Sequence, residues 1–96
     1  MYSLPTIPLF SAGQIVATPG ALALLNEGKR TPQEFLSRHL RGDWGDLCQD
    51  DIAENELSLK EGFRLLSSYR VTDSETLWII TEADRSVTTL LLPGEY

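Results

Sequence analysis

The chain has 96 residues and a formal net charge of −6 at pH 7. This length predicts a single domain with a thin core and excludes a second domain. The only cysteine, Cys48, excludes an internal disulfide, and no segment approaches the roughly 20 apolar residues of a membrane span. The N-terminus lacks the basic and apolar regions of a signal peptide. We therefore expect a cytoplasmic protein without a membrane anchor.

The charge is concentrated in one segment. Residues 43–61 contain seven acidic side chains and one lysine, which together account for the whole net charge. Residues 29–41, immediately before, carry four cationic side chains against one glutamate. This polarised layout argues against general affinity for nucleic acid, which needs a broad basic surface. It favours docking on a basic surface of another protein.

The first half of the chain predicts an arm followed by helices. Residues 1–13 contain two prolines and no periodicity, which indicates an extended N-terminal arm ahead of a single domain over 14–96. A short strand is expected at 14–17. Threonine–proline pairs at Thr18 and Thr31 predict the starts of two helices that end at glycines. A third helix is predicted from Asp50 to Glu61, with Leu57 towards the core.

The second half predicts an antiparallel meander. Residues 76–81 (TLWIIT) are apolar on both faces, which is typical of an interior strand. Strands over 64–71 and 87–92 flank it, joined by short polar loops. The predicted fold is α+β, with three short helices packed on a three- to four-stranded antiparallel sheet. Three helices cover one sheet face, so we expect the arm or a second copy to cover the other.

The acidic segment is the leading candidate for a functional surface. Its spacing lacks the frame of a calcium-binding loop, so we expect no metal and no cofactor. Trp44 lies in a glycine-flanked loop and is either a lid over the core or an exposed interface anchor. The docking hypothesis takes it as the anchor and assigns the partner-binding surface to Asp43, Trp44, Asp46, Asp50, Asp51, Glu54 and Glu56.

A ribonuclease toxin of the barnase-like or RelE-like kind is the first alternative. Helices before an antiparallel sheet give the same element order, which is an analogy at the level of the fold. His39, the sole histidine, supplies an acid–base group, and arginines supply cations for a phosphate. The residues that would converge are His39, Tyr69, Arg70, Arg85 and Thr88.

A helix-turn-helix regulator is the second alternative. The two helices that begin at Thr18 and Thr31 are separated by a plausible turn, and Gln33, Arg38 and Arg41 would lie on the recognition helix. The acidic segment that follows would repel the same duplex. Cys48 lies beside acidic residues that do not activate a thiol, so its predicted role is structural.

Four stretches carry a resemblance to a known group: GQIVATPGALALL, GDWGDL, RLLSSYR and LWIITEADRSVTTLLLP. Across Ser11 to Tyr96 the chain resembles short, uncharacterised plasmid-related proteins of bacterial plasmids and integrative mobile elements. The resemblance implies a genetic setting and transfers no catalytic residue. It suggests a protein that blocks or modulates a host machine, as anti-CRISPR and anti-restriction proteins do.

Overall fold

A computed structural model describes residues 8–96, which form three helices and one four-stranded sheet. The α+β class is therefore confirmed. Residues 1–7 of the predicted arm lie outside the described residues. The elements are β1 (Gln14–Ala17), α1 (Pro19–Glu27), α2 (Pro32–Leu40), α3 (Gln49–Glu61), β2 (Leu65–Arg70), β3 (Thr76–Thr81), β4 (Val87–Leu91) and a 3-10 turn at Pro93–Glu95.

The sheet is mixed, with the strands in the order β1-β4-β3-β2. Strands β2, β3 and β4 form the predicted antiparallel meander. Strand β1 instead pairs parallel to β4, with Gln14 opposite Val87 and Ala17 opposite Leu90. The prediction of a purely antiparallel sheet is wrong for β1. The short loops of the meander force antiparallel neighbours, whereas β1 and β4 are separated by all three helices and can pair in parallel.

Helix α1 begins where its threonine–proline pair predicts. The Thr18 hydroxyl accepts a hydrogen bond from the backbone N–H of Ala21 at 3.0 Å and donates one to the Glu95 carboxylate at 2.6 Å. The start of α1 is thus tied to the C-terminal turn. Thr31 precedes α2 with the same extended backbone but makes no capping bond through its side chain. Helix α3 ends at Gly62, which has a left-handed φ of 78°.

The main core lies between one sheet face and the helices α1 and α2. Its buried members are Ala21, Leu24, Leu25, Phe35, Leu36, Tyr69, Val71, Leu77, Ile79 and Leu90. On the opposite sheet face, Trp78 is half-buried and packs edge-on against Tyr96, with ring centroids 6.0 Å apart. The C-terminal tail therefore contributes to the second face.

Helix α3 packs against the outer edge of β2 through a side-chain amide. The Asn55 amide oxygen accepts from the Leu66 N–H at 3.1 Å, and its nitrogen donates to the Leu66 carbonyl at 2.6 Å. Asn55 thus replaces the neighbouring strand that Leu66 lacks on this side. The helix is held at the sheet edge by polar pairing as well as by packing.

The loop before α3 closes the rest of that edge. The Ser68 N–H donates to the Trp44 carbonyl at 3.1 Å, and the Asp46 N–H donates to the Ser68 carbonyl at 2.7 Å. Two residues further along, the Arg70 N–H donates to the Asp46 carboxylate at 3.0 Å. Gly45 lies between these bonds with φ at +79°. The outer edge of β2 is therefore paired with its own chain.

The loop pairing predicts different costs for two glycine substitutions. Gly45 and Gly62 have nearly the same positive φ, +79° and +78°, but a Cβ at Gly45 would lie 2.1 Å from the Ser68 carbonyl oxygen, and one at Gly62 would meet nothing within 4 Å. We expect Gly62→Ala to lower the free energy of unfolding by about 1 kcal/mol through backbone strain alone. Gly45→Ala should cost about 3 kcal/mol, because the loop must also leave the strand edge.

Urea unfolding of the two alanine variants and the wild type measures both costs, and Gly62→Ala serves as the matched control for φ. Equal destabilisation by the two substitutions would contradict the pairing of the loop with β2.

Candidate functional site

The acidic segment divides into two sets of side chains. The first set binds the protein's own chain. The Asp43 carboxylate accepts from the Arg38 guanidinium at 2.7 Å and from the Gly45 N–H at 3.2 Å. The bond from Arg38 is the main cause that lowers the pKa of Asp43 and raises that of Arg38. Asp46 closes the edge of β2, as described above, so both aspartates stabilise the fold.

Trp44 is a lid over the core. Only 4% of its surface is exposed, and its indole N–H donates to the Glu56 carboxylate at 3.0 Å. Its ring packs against Phe10 and against His39, with centroids 6.3 Å and 5.7 Å apart. The assignment of Trp44 as an exposed partner-binding anchor is therefore wrong. Its carbonyl pairs with β2, and this backbone bond turns the indole inwards.

The second set of acidic residues faces solvent. Asp50, Asp51 and Glu54 are exposed on α3, and among the described residues the ion pairs are Arg30–Glu34 and Arg38–Asp43, neither of which involves them. The Cys48 thiol donates a long bond to Asp51, at 3.4 Å. Among the predicted surface residues, these three carboxylates form no ion pair and accept no hydrogen bond from a backbone N–H or from the Trp44 indole.

The orientation of α3 corrects another prediction. Asn55 and Ser58 are its buried residues, whereas 46% of Leu57 is exposed, so Leu57 does not face the core. Residues two apart on a helix point about 160° away from each other. Because Asn55 must reach the backbone of β2, Leu57 is forced outwards. Helix α3 therefore presents a half-exposed leucine among acidic side chains.

His39 lies in a buried chain of hydrogen bonds. Its Nδ1 atom bonds to the Ser67 hydroxyl, and its Nε2 atom bonds to the Thr81 hydroxyl at 2.9 Å. The Thr81 hydroxyl bonds to that of Thr88 at 2.7 Å, and Thr88 donates to the Ala12 carbonyl at 2.7 Å. This series of hydrogen bonds joins α2 to three strands and to the segment before β1.

The Ala12 carbonyl, at the end of this series of hydrogen bonds, fixes the direction of each bond and the tautomer of His39. A carbonyl only accepts, so Thr88 donates to Ala12, Thr81 donates to Thr88, and Nε2–H of His39 donates to Thr81. Nδ1 is then the acceptor for Ser67. The histidine is completely buried, and burial lowers its pKa to about 4. It is a neutral structural residue at pH 7.

The residues of the ribonuclease alternative are not brought together at the surface. His39, Tyr69 and Thr88 are buried, and Tyr69 donates to the Asp43 carbonyl at 2.6 Å. Burial raises the pKa of Tyr69 to about 12. Arg70 is exposed, on the sheet face opposite to Tyr69. His39 has no solvent-facing edge from which to transfer a proton to a substrate.

Arg85 supports the fold rather than an anion site. Its guanidinium donates to the Phe63 carbonyl at 2.7 Å and to the Ser58 carbonyl at 3.0 Å. Ser58 lies in the last turn of α3, where the helix dipole favours a cation, and its carbonyl also accepts from the Gly62 N–H at 2.9 Å. Arg85 thus ties the loop between β3 and β4 to the C-terminal end of α3.

The residues of the helix-turn-helix alternative have mixed environments. Arg38 is held by Asp43 and lies over the Tyr69 ring, with its guanidinium carbon 4.6 Å from the centroid. Gln33 and Arg41 are exposed on α2 and just after it. Two of the three polar side chains therefore remain available at the surface, whereas Arg38 is neutralised.

Residues 8–96 contain no group of three or more histidine, cysteine, aspartate or glutamate side chains arranged to hold a metal ion. Over the same part of the chain, no helix has both the length and the apolar character to cross a bilayer.

The residues predicted from the sequence did not include Asn55 or the direct polar partners of His39, Ser67 and Thr81. A signal for each was present. Asn55 lies between Ile52 and Leu59 on the inward stripe of a helix, where a polar residue needs a partner. Ser67 lies between Leu65 and Tyr69 on the packed face of β2, so the alternation of this strand predicts a buried hydroxyl at Ser67.

The buried histidine predicts a pH-dependent stability. Its folded pKa of about 4 lies below the ordinary value of 6.5, so the unfolded chain takes up the proton first as the pH falls. The contribution of neutral His39 to the free energy of unfolding is complete above about pH 6.5. It decreases by roughly 3 kcal/mol as the pH falls to 4. His39→Gln replaces the imidazole with an uncharged amide that can still donate and accept hydrogen bonds, and it should remove that slope.

Urea unfolding of the wild type and of His39→Gln, between pH 7 and pH 4, tests this pH dependence. Carboxylates with lowered pKa values, such as Asp43, act equally in both, so the difference between the two curves isolates the histidine. Curves that run parallel would contradict a neutral buried His39.

No protein-family model, curated protein or solved structure in the comparisons matches this chain. The resemblance to plasmid-related proteins stays a prediction, and the geometry of α3 and its surroundings is the basis for a functional proposal.

Proposed function

We propose that this protein is a cytoplasmic, non-enzymatic binding protein that docks the exposed acidic face of α3 on a basic surface of a host protein or nucleoprotein complex. Docking inhibits or modulates that machine, in the manner of anti-CRISPR and other anti-defence proteins of mobile elements. The observation that carries the proposal is that Asp50, Asp51 and Glu54 are exposed and form no ion pair, and that Leu57, one turn after Glu54, is half-exposed.

The chemistry of this face suits protein recognition. Charged groups at an interface provide steering and select the partner, whereas a central apolar side chain provides contact area. Leu57 takes the role of apolar contact that the sequence had assigned to Trp44. The acidic contribution comes from Asp50, Asp51 and Glu54, because Asp43, Asp46 and Glu56 are used within the fold.

The helix is also held in place for binding. Asn55 fixes its middle to β2, Glu56 bonds to the indole of Trp44, and Arg85 binds the Ser58 carbonyl near its end. These three attachments lie within residues 55–58 of the helix, directly after Glu54, and they preorganise the acidic face. Preorganisation reduces the entropic cost of association, so a modest number of contacts gives useful affinity.

The cationic side chains support a protein partner over free nucleic acid. Arg30 is paired with Glu34, and Arg38 with Asp43. Half of the four cations in residues 29–41 are thus neutralised internally, whereas phosphate binding depends on many unpaired cations.

Charge reversal on α3 tests the proposal. We expect D50K/D51K/E54K to lose the captured partner in pull-downs from nuclease-treated bacterial lysate, with affinity reduced about 100-fold or more because like charges then face each other. The matched control is E27K/D73K/E75K, which reverses three exposed acids away from α3. Both variants change the net charge from −6 to 0.

Two further measurements separate docking from folding. Lysines at the start of a helix oppose its dipole, so D50N/D51N/E54Q provides a milder variant. Circular dichroism verifies the helix content of this variant and of the two charge-reversal variants. Loss of the partner in the control as well as in the α3 variants would refute the assignment of the binding surface to α3. Recovery of RNA or DNA that disappears after nuclease treatment would refute a protein partner.

A further inference from the structure

The outer edge of β1 carries unpaired backbone groups. The N–H groups of Gln14 and Thr18 donate to carbonyls of the β4 side, Ser86 and Leu90, each at 2.9 Å. Along a strand these directions alternate, so the N–H and C=O groups of Ile15 and Ala17 point away from β4. Within residues 8–96 no hydrogen bond reaches them.

The two edges of the sheet differ in whether their backbone groups are paired. The edge at β2 is closed by Asn55 and by the loop at Trp44 and Asp46. The edge at β1 has none of the charges, prolines or bulges that usually protect an open strand. Two of its four side chains are apolar and accessible, with 50% of Ile15 and 38% of Val16 exposed. Such an edge is suited to strand addition.

We propose that two copies of this protein associate through β1, pairing the strands antiparallel about a two-fold axis at Val16. In this register Ile15 lies opposite Ala17 of the other copy, and each such pair exchanges two N–H···O=C bonds. All the outward backbone groups of Ile15 and Ala17 are then satisfied. The interface is isologous and closed, and it produces one continuous eight-stranded sheet.

The charge distribution favours a second copy as the occupant. Residues 13–18 contain no charged side chain, and the acidic α3 lies at the opposite edge of the sheet. In the paired sheet the two β2 strands are seven strand spacings apart, about 34 Å. This exceeds the Debye length of about 8 Å at physiological salt, so the acidic α3 helices of the two copies do not oppose pairing.

Cysteine cross-linking tests this register in a Cys48→Ser background. Val16 faces its own copy across the axis in a pair without hydrogen bonds, where the Cα atoms are about 4.5 Å apart and a disulfide can form. Gln14 is the matched control, because the two Gln14 positions are four residues apart along the strands, about 13 Å. We expect V16C to yield a covalent dimer under mild oxidation and Q14C to remain monomeric.

Light scattering of the wild-type chain provides the independent readout. Its mass should rise with concentration from 10.7 kDa towards twice that value. Ile15→Pro removes an outward N–H without touching the bonds to β4, and should raise the dimer dissociation constant about 10-fold or more relative to Ile15→Thr, which keeps the N–H.

Three results would overturn the proposal. The first is a mass that stays at 10.7 kDa at every concentration. The second is cross-linking of Q14C as fast as V16C, which indicates association without this register. The third is dimerisation that appears only after deletion of residues 2–7, which assigns the edge to the chain's own N-terminal segment.

Discussion

The closure of the β2 edge is the constraint on which the rest of the structure depends. A buried or half-buried backbone group without a partner costs about 1–3 kcal/mol, and β2 presents several such groups on its outer side. The fold satisfies them with an amide from α3 and with the loop that contains Trp44 and Asp46. Because Asn55 must point at the strand, the direction of every other side chain on α3 follows. Leu57 and Asp50 point away from the strand for this structural reason, and a docking function on that side uses a surface that this pairing creates.

The same closure explains why the polar residues near the sheet are held in the interior of the protein. Holding the Trp44 carbonyl against β2 turns its indole over His39, and Phe10 packs edge-on against the histidine from the segment before β1, with centroids 5.2 Å apart. The imidazole then has only neutral hydroxyl partners. Their bonds run in one direction towards the Ala12 carbonyl, and in a charged histidine only the bond between Nδ1 and Ser67 would reverse, because both nitrogens would then donate. This geometry gives the histidine a role in joining α2 to the sheet, and it is consistent with a low pKa.

The parts of the fold that local patterns determine were predictable. The bounds of β3 are those predicted, and the Thr18 start of α1 follows from N-cap chemistry. What the sequence did not show depends on contacts between distant residues. The parallel pairing of β1 with β4 spans more than 70 residues, and neither partner carries a local sign of its direction. Trp44 was ambiguous because a loop gives no period from which burial can be inferred, and the bond from its indole to Glu56 is visible only once α3 is placed. Within the candidate site, residue type predicted an acidic surface, but only geometry separated the aspartates that are bonded internally from those that are free.

The opposite edges of the sheet have complementary physical characters, and this relates the two proposals. An acidic helix placed beside β1 would set like charges against each other whenever two open edges met, whereas at β2 it is separated from that edge by the width of the sheet. A pair of copies joined at β1 therefore presents two acidic helices at its two ends, on a rigid continuous sheet instead of a flexible linker. Two linked binding surfaces raise avidity by a factor of about 10² to 10⁴ only when the spacing of the partner sites matches. A rigid spacing consequently selects for a target with repeated basic surfaces, such as a symmetric or filamentous assembly. Against an isolated basic surface, each helix acts alone.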